Sequence, residues 1–234
     1  MKKLSVLNCP IEFDKTNFLH LLSLSVGYCL DCQNRMGELV IGDNGWNVDV
    51  ENGTISFGED NVYQSGIIGS ESDISGTWLW GWANTESGLP EVTFAPSRRA
   101  LRRLPDMEEF RNGSFMLDEL RTGHDIAMIC CGVSERNDGY YRCPYSDGAL
   151  FVTVEDLPEE VFAPIAPDVL FRQYLEILSS FYCDHLLLAA GYLYQNGYGF
   201  TLSGNTLAAR LGNNTAFFEY EKADDINRLV NISF

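Results

Sequence analysis

The sequence predicts an α+β protein in which curved antiparallel sheets pack against long helices. Apolar residues recur every three to four positions near both ends of the 234-residue chain, over 14–36 and 167–196, as in amphipathic helices. Each of these segments precedes short alternating segments separated by Gly and Asn, which are typical of antiparallel strands. One interpretation of this repeated order is that the chain contains two related lobes, each made of one helix and four strands. Prolines over 157–167 suggest a boundary between 1–156 and 157–234, which we expect to pack as one compact unit.

In the first half, the helix over 14–36 has Asp14 as its predicted N-cap and Gly37 as its predicted end. Segment 46–50 alternates, and Asn52-Gly53 predicts a type I′ turn into a second strand over 54–57. Segments 62–69 and 76–83 then complete a predicted four-stranded antiparallel meander.

The remaining elements follow from the same signals. Short periodic segments predict helices over 97–104 and 115–131, and alternation around Asp147-Gly148 predicts a hairpin of strands 140–144 and 149–154. Segment 167–196 predicts one long helix that starts at Pro167. Four short strands are predicted after it, over 200–202, 206–211, 216–221 and 228–234.

The chain is strongly acidic, with 33 Asp and Glu against 16 Lys and Arg and a net charge of -17. Nucleic acids and anionic membranes need a cationic surface, so the charge disfavours both as partners. The same charge would steer a basic protein toward the surface, which makes a basic partner one hypothesis. A homodimer that buries the tryptophan-rich segment 78–82 is another. Seven cysteines without a regular spacing predict a reducing, cytoplasmic location.

Three of the four tryptophans lie within five residues, where Trp78, Trp80 and Trp82 alternate with Leu79 and Gly81. On a strand this spacing puts all three indoles on one face. Two interpretations stay open. The indoles could line a concave sheet face as the floor of a ligand site, or they could complete the core against a helix. In the first case the polar groups of the site would be Ser70, Thr77 and Asn84.

The segment around these tryptophans, IIGSESDISGTWLWGWAN, resembles an uncharacterised bacterial domain-of-unknown-function family marked by an (I/L)GS…TWLWxWAN box. The matching residues are Ile68–Ser70, Thr77–Trp80 and Trp82–Asn84. Looser similarity extends over 97–104, YYRCPYSDGALFV at 140–152 and the terminal EYEKADDINRLVNISF. The resemblance covers most of the chain and implies no activity, cofactor or site residue.

Four arginines form a cationic ridge on the predicted helix over 97–104. Arg98, Arg99, Arg102 and Arg103 fall at spacings that share one side of a helix. In an acidic chain these guanidinium groups face either the protein's own carboxylates or an anionic ligand or partner.

No complete catalytic, metal or cofactor motif is present. Cys29-x-x-Cys32 falls in the middle of a predicted helix, and the histidines His20, His124 and His185 are scattered. We therefore predict no catalytic residue, no metal site and no cofactor. The predicted function is a non-enzymatic binding or interaction protein that uses the tryptophan-lined face. The alternative is a small-molecule-binding protein or enzyme with its pocket at the Trp78–Asn84 strand and His124 or His185 as acid or base.

Overall fold

The computed structural model describes residues 3–234, which form six α-helices and twelve strands in three antiparallel sheets. The predicted α+β class is confirmed. The helices are α1 (Phe18–Met36), α2 (Ala95–Arg103), α3 (Glu108–Arg111), α4 (Gly123–Val133), α5 (Pro167–Ser180) and α6 (His185–Gln195). The strands are β1 (Trp46–Asp49), β2 (Thr54–Phe57), β3 (Asn61–Gln64), β4 (Ile67–Ser72), β5 (Thr77–Trp80), β6 (Ser114–Met116), β7 (Gly139–Tyr145), β8 (Gly148–Val154), β9 (Phe200–Ser203), β10 (Thr206–Leu211), β11 (Asn214–Ala223) and β12 (Ile226–Ser233).

Helix α1 starts later and continues further than the sequence predicts. Its N-cap is Asn17, whose side chain accepts from the His20 amide, whereas Asp14 accepts from the Thr16 amide in the preceding turn. At the other end Gly37 keeps helical torsions, and the chain passes into one π-helical turn, Gly37–Ile41. The predicted ends of this helix were therefore wrong.

The predicted four-stranded meander is wrong, because its strands belong to two sheets. Strands β1, β2 and β3 form one sheet, whereas β4 and β5 join a five-stranded sheet of order β6-β5-β4-β8-β7. The chain changes sheets at Ser65-Gly66. A Cβ on Gly66 would lie 2.7 Å from the Pro96 ring, so this crossing needs a glycine.

The predicted helix over 115–131 is also wrong at its start. Ser114–Met116 pairs with β5 as the edge strand β6, and α4 begins only at Gly123. Thr122 and Asp125 form a capping box there, with reciprocal side-chain bonds to each other's backbone amides. The hairpin of β7 and β8 around Asp147-Gly148 forms as predicted.

The long helix predicted over 167–196 is interrupted, so α5 and α6 are separate helices. Asp184 is fully buried at the break and caps α6, because its Oδ1 accepts from the Leu187 amide at 2.9 Å. Its Oδ2 accepts from the backbone and side-chain amides of Asn227, at 2.8 and 2.7 Å. One buried carboxylate thus joins α6 to the C-terminal sheet, which has the order β12-β11-β10-β9.

Helix α1 lies in the centre of the core and packs against both α4 and α6. Glycines permit these close approaches: Gly132 of α4 lies against Ser25, and Gly191 of α6 lies against the backbone of Leu24. Residues before and after the predicted boundary at 157–167 thus contribute to one hydrophobic core. Within residues 3–234, no helix combines the length and apolar character needed to cross a membrane.

A buried carboxyl group on α1 carries a proton at mildly acidic pH. Asp31 is 3% exposed, and its Oδ2 lies 2.7 Å from the Tyr192 hydroxyl, which also lies 2.8 Å from Gln173 Oε1. A phenol has one proton and cannot donate to both oxygens. Burial raises the pKa of Asp31 from 3.8 to about 6. When protonated, Asp31 can donate to Tyr192, which then donates to Gln173.

We expect Asp31→Asn to stabilise the protein above about pH 6. The folded state keeps a proton on Asp31 between pH about 4 and 6, where the unfolded chain has lost it. This carboxyl group therefore lowers the free energy of unfolding as pH rises through that window, by about 1–3 kcal/mol. The asparagine side-chain amide donates a hydrogen bond at every pH, so the variant does not lose stability over this window. Urea unfolding at a series of pH values measures the free energy of unfolding, with exposed Asp60→Asn as the control for charge. Parallel curves for Asp31→Asn and wild type would contradict the prediction.

Candidate functional site

The predicted tryptophan face is divided by the structure. Trp78 and Trp80 lie on one face of β5, both at 0% exposure, and their rings meet edge to face at 5.5 Å. The strand ends at Trp80, and Gly81–Ala83 forms a 3₁₀ turn, so the half-buried Trp82 does not continue the alternation. Trp80 Nε1 donates to the Glu109 carbonyl at 2.8 Å. Trp78 and Trp80 are core residues with no surface for a ligand to contact.

The polar residues proposed to accompany the tryptophans lie elsewhere. Ser70 on β4 is directly opposite Leu79, and Thr77 is opposite Ser72, whereas Trp80 is opposite Gly69. Directly opposed residues share a face, so Ser70 and Thr77 project away from Trp78 and Trp80. Asn84 ends the 3₁₀ turn. Among the described residues, these side chains do not converge on one cavity with the indoles.

Three of the four arginines of the predicted ridge line a cavity with a volume of about 460 Å³. Helix α2 forms one wall, and the C-terminal end of α4 with segment 134–138 forms the other. Ile68 of β4 and Thr153 of β8 lie between them. We call this space the arginine cavity; the arginines in its lining are Arg99, Arg102, Arg103 and Arg136. Arg98 is not among its lining residues and approaches Glu91 at 3.5 Å.

Two of these arginines are held by carboxylates. Arg99 lies 2.9 Å from Glu155 and 3.7 Å from Asp138. Arg136 lies 2.8 Å from Glu155 and 3.3 Å from Asp138. The four groups connect α2, segment 134–138 and the chain just after β8. This network fixes the walls of the arginine cavity relative to one another.

The other two arginines have fewer contacts with carboxylates. Arg103 pairs with Glu135 at 3.2 Å, and both side chains are more than a third exposed. Arg102 is exposed and forms no ion pair with any residue in 3–234. Arg98, Arg99 and Arg103 thus contact the protein's own carboxylates. Arg102 lines the arginine cavity without such a contact among residues 3–234, and an anionic ligand or partner at the ridge stays a prediction.

Burial alters the titration of two groups at this cavity. Asp138 is buried, and burial together with the neighbouring Glu155 raises the pKa of its carboxyl group, against the opposing effect of Arg136. Burial also raises the pKa of the Cys130 thiol well above its usual range, so Cys130 lines the arginine cavity as a neutral group.

A second cavity of about 400 Å³ contains His124. Its imidazole Nδ1 lies 3.0 Å from the Tyr140 hydroxyl, and burial lowers the pKa of the ring. The neighbouring Asp125 bonds to Thr122, and no carboxylate among residues 3–234 is hydrogen-bonded to the His124 ring. Glu71 and Asp125 act on the ring through their charges, which oppose the effect of burial on its pKa. His185 Nδ1 accepts from the Leu229 amide and His20 Nδ1 from the Asp14 amide, so both have structural bonds.

All seven cysteines are free thiols, and six of them are buried. Over residues 3–234, no three His, Cys, Asp or Glu side chains are grouped as metal ligands.

Sequence reasoning identified the arginines of α2 but missed Arg136 and Asp138. These two residues lie more than thirty positions further along the chain, and only the packing of α4 against α2 brings them to the arginine cavity. One local pattern in the sequence could have pointed to these two residues. The sequence Arg136-Asn137-Asp138-Gly139 places opposite charges immediately after a helix and before an aromatic strand.

Comparison with known proteins gives one match. The family of unknown function DUF6882 matches residues 20–157, which is more than half of the chain and includes α2, α4 and β8 with the cavity residues. No curated protein and no solved structure matches the chain. The predicted membership of a domain-of-unknown-function family is confirmed, and this chain belongs to the family of unknown function DUF6882.

Proposed function

We propose that this protein is a non-enzymatic binding protein whose ligand is a small anionic molecule held in the arginine cavity. The observation that carries the proposal is a cavity whose lining includes four arginines, in a chain of net charge -17. Guanidinium groups bind carboxylates and phosphates through paired hydrogen bonds. A volume of about 460 Å³ is also within the range of small-molecule sites.

The tryptophan strand has less support as the binding surface. Trp78 and Trp80 would reach a ligand only if the core opened, and Ser70 and Thr77 lie on the other face of the sheet. An enzyme with His124 as its base also has less support, because no carboxylate within residues 3–234 is hydrogen-bonded to the ring. A basic protein partner and a homodimer remain predictions.

We also propose a cytoplasmic location. The support is the set of seven free thiols, since an oxidising compartment favours paired cysteines.

The test of the proposed function uses anilinonaphthalene sulfonate, a fluorescent anion with an apolar body. We expect Arg102→Ala to weaken its binding about 5- to 30-fold, because a charge-assisted hydrogen bond contributes about 1–2 kcal/mol at a partly exposed site. The matched control is Arg172→Ala, which removes the same charge from the exposed surface of α5, outside the arginine cavity. Fluorescence titration measures the dissociation constants. Equal affinities for the wild type and both variants would refute the proposed site.

A further inference from the structure

Resting on the proposed function, we infer that the arginine cavity selects amphipathic monoanions. The ligand would carry one anionic head group and an apolar tail, as straight-chain aliphatic carboxylates do. Small hydrophilic anions and dianions would bind less tightly. Two features support this selectivity, namely the division of the arginines into paired and accessible groups and the apolar lining.

The four guanidinium groups are not equally free to bind a head group. Arg99 and Arg136 each contact both Glu155 and Asp138, which neutralise their charges. Arg102 has no such partner within residues 3–234. Arg103 has an exposed contact with Glu135, and an exposed ion pair is weak enough to exchange for a ligand. The head group is therefore bound by Arg102 and Arg103, which are adjacent at the end of α2.

The surface of the lining is mostly apolar. Ile68 and Ala100 lie beneath it and are almost fully covered, whereas the Cys130 side chain is half-buried. Burial keeps the Cys130 thiol neutral. An aliphatic tail gains by removing its own methylenes from water against this surface, and each buried methylene strengthens binding. Inorganic anions gain nothing from the same surface.

The buried side of the arginine cavity gives a second anionic group no net positive charge to bind. Asp138 is 4% exposed and lies among the lining residues, where it is one of two carboxylates that pair with Arg99 and Arg136. Two guanidinium groups and two carboxylates leave this network without net charge. A dianion would have to desolvate its second anionic group against the network, which weakens binding. Arg102 and Arg103 therefore bind one head group.

The experiment measures how saturated carboxylates displace anilinonaphthalene sulfonate from the wild-type protein. The series is acetate, butyrate, hexanoate, octanoate and decanoate, each below its micelle concentration. We expect the affinity to rise about three- to fourfold per added methylene, and to level off when the tail fills the cavity. Cys130→Leu should move this plateau to a shorter tail, with its thermal unfolding curve as the check on folding.

Three results would overturn the inference while leaving the proposed function intact. They are an affinity independent of tail length, a dicarboxylate that binds more tightly than the monocarboxylate of equal length, and no displacement by any member of the series. Octanol tests the proposed function separately, because it has the tail of octanoate without the charge. If octanol and octanoate displaced the probe equally, the arginines would have no role and both proposals would fail.

Discussion

Gly191→Ala is expected to destabilise the protein by about 3 kcal/mol or more. Gly191 lies where α6 crosses α1, and an added Cβ would come within 3.0 Å of the Leu24 carbonyl oxygen, Cα and carbonyl carbon. These are backbone atoms of a buried helix, so no rotamer change relieves the overlap and the two helices must separate. The separation would open the core between the N-terminal helix and the C-terminal segment. The gain in helix propensity from Gly to Ala, about 1 kcal/mol, offsets only part of this loss.

The matched control is Gly37→Ala. Gly37 also has helical torsions, but a Cβ there would meet no atom within 4 Å. The same substitution should therefore stabilise the protein by up to about 1 kcal/mol. Urea unfolding followed by tryptophan fluorescence measures both variants. If the two substitutions had effects of the same sign and size, the close approach of α1 and α6 would not be the cause.

Trp80→Ala is expected to lower the free energy of unfolding by about 3–5 kcal/mol. The indole is fully buried, with Phe110 at 4.7 Å and Trp78 at 5.5 Å between ring centroids. Side chains in a close-packed core relax only partially around such a deletion, so much of the cavity would remain. Chemical denaturation at fixed pH measures the change.

Phenylalanine substitutions separate packing from hydrogen bonding on the same strand. Trp80→Phe and Trp78→Phe remove similar volumes from fully buried sites on one face of β5. Trp80→Phe also leaves the Glu109 carbonyl without its indole donor, whereas Trp78 Nε1 has no partner among the described residues. We therefore expect Trp80→Phe to cost about 1–3 kcal/mol more than Trp78→Phe. A larger cost for Trp78→Phe would show that the Trp80 hydrogen bond contributes nothing net.

Elements set by local chemistry could be predicted from the sequence. The β7–β8 hairpin follows from alternation around Asp147-Gly148, and the four C-terminal strands follow from regularly spaced turn residues. The errors arose where distant contacts override local patterns. The α5–α6 break depends on Asp184, whose cap is completed by Asn227 more than forty residues away. The change of sheets at Gly66 depends on the position of Pro96.

The candidate site, too, could be predicted from the sequence only where local spacing determines it. The spacing of Arg99, Arg102 and Arg103 revealed a cationic helix face. Which of them would be neutralised depended on Glu155 and Asp138, which reach that face through β8 and segment 134–138. For the tryptophans, alternation correctly placed Trp78 and Trp80 on one face. Their burial depends on Phe151 and Phe110, which come from distant elements.

The exposed arginines of α2 belong to a chain of net charge -17, which has a consequence for the rate of ligand capture. At low ionic strength the Debye length is about 30 Å, so an approaching anion meets the repulsion of the whole molecule before it reaches Arg102. At about 0.15 M salt the Debye length shortens to roughly 8 Å, and mainly the nearby guanidinium groups act on the anion. Physiological salt would therefore speed association rather than slow it. Acidic proteins usually show the reverse dependence with basic partners.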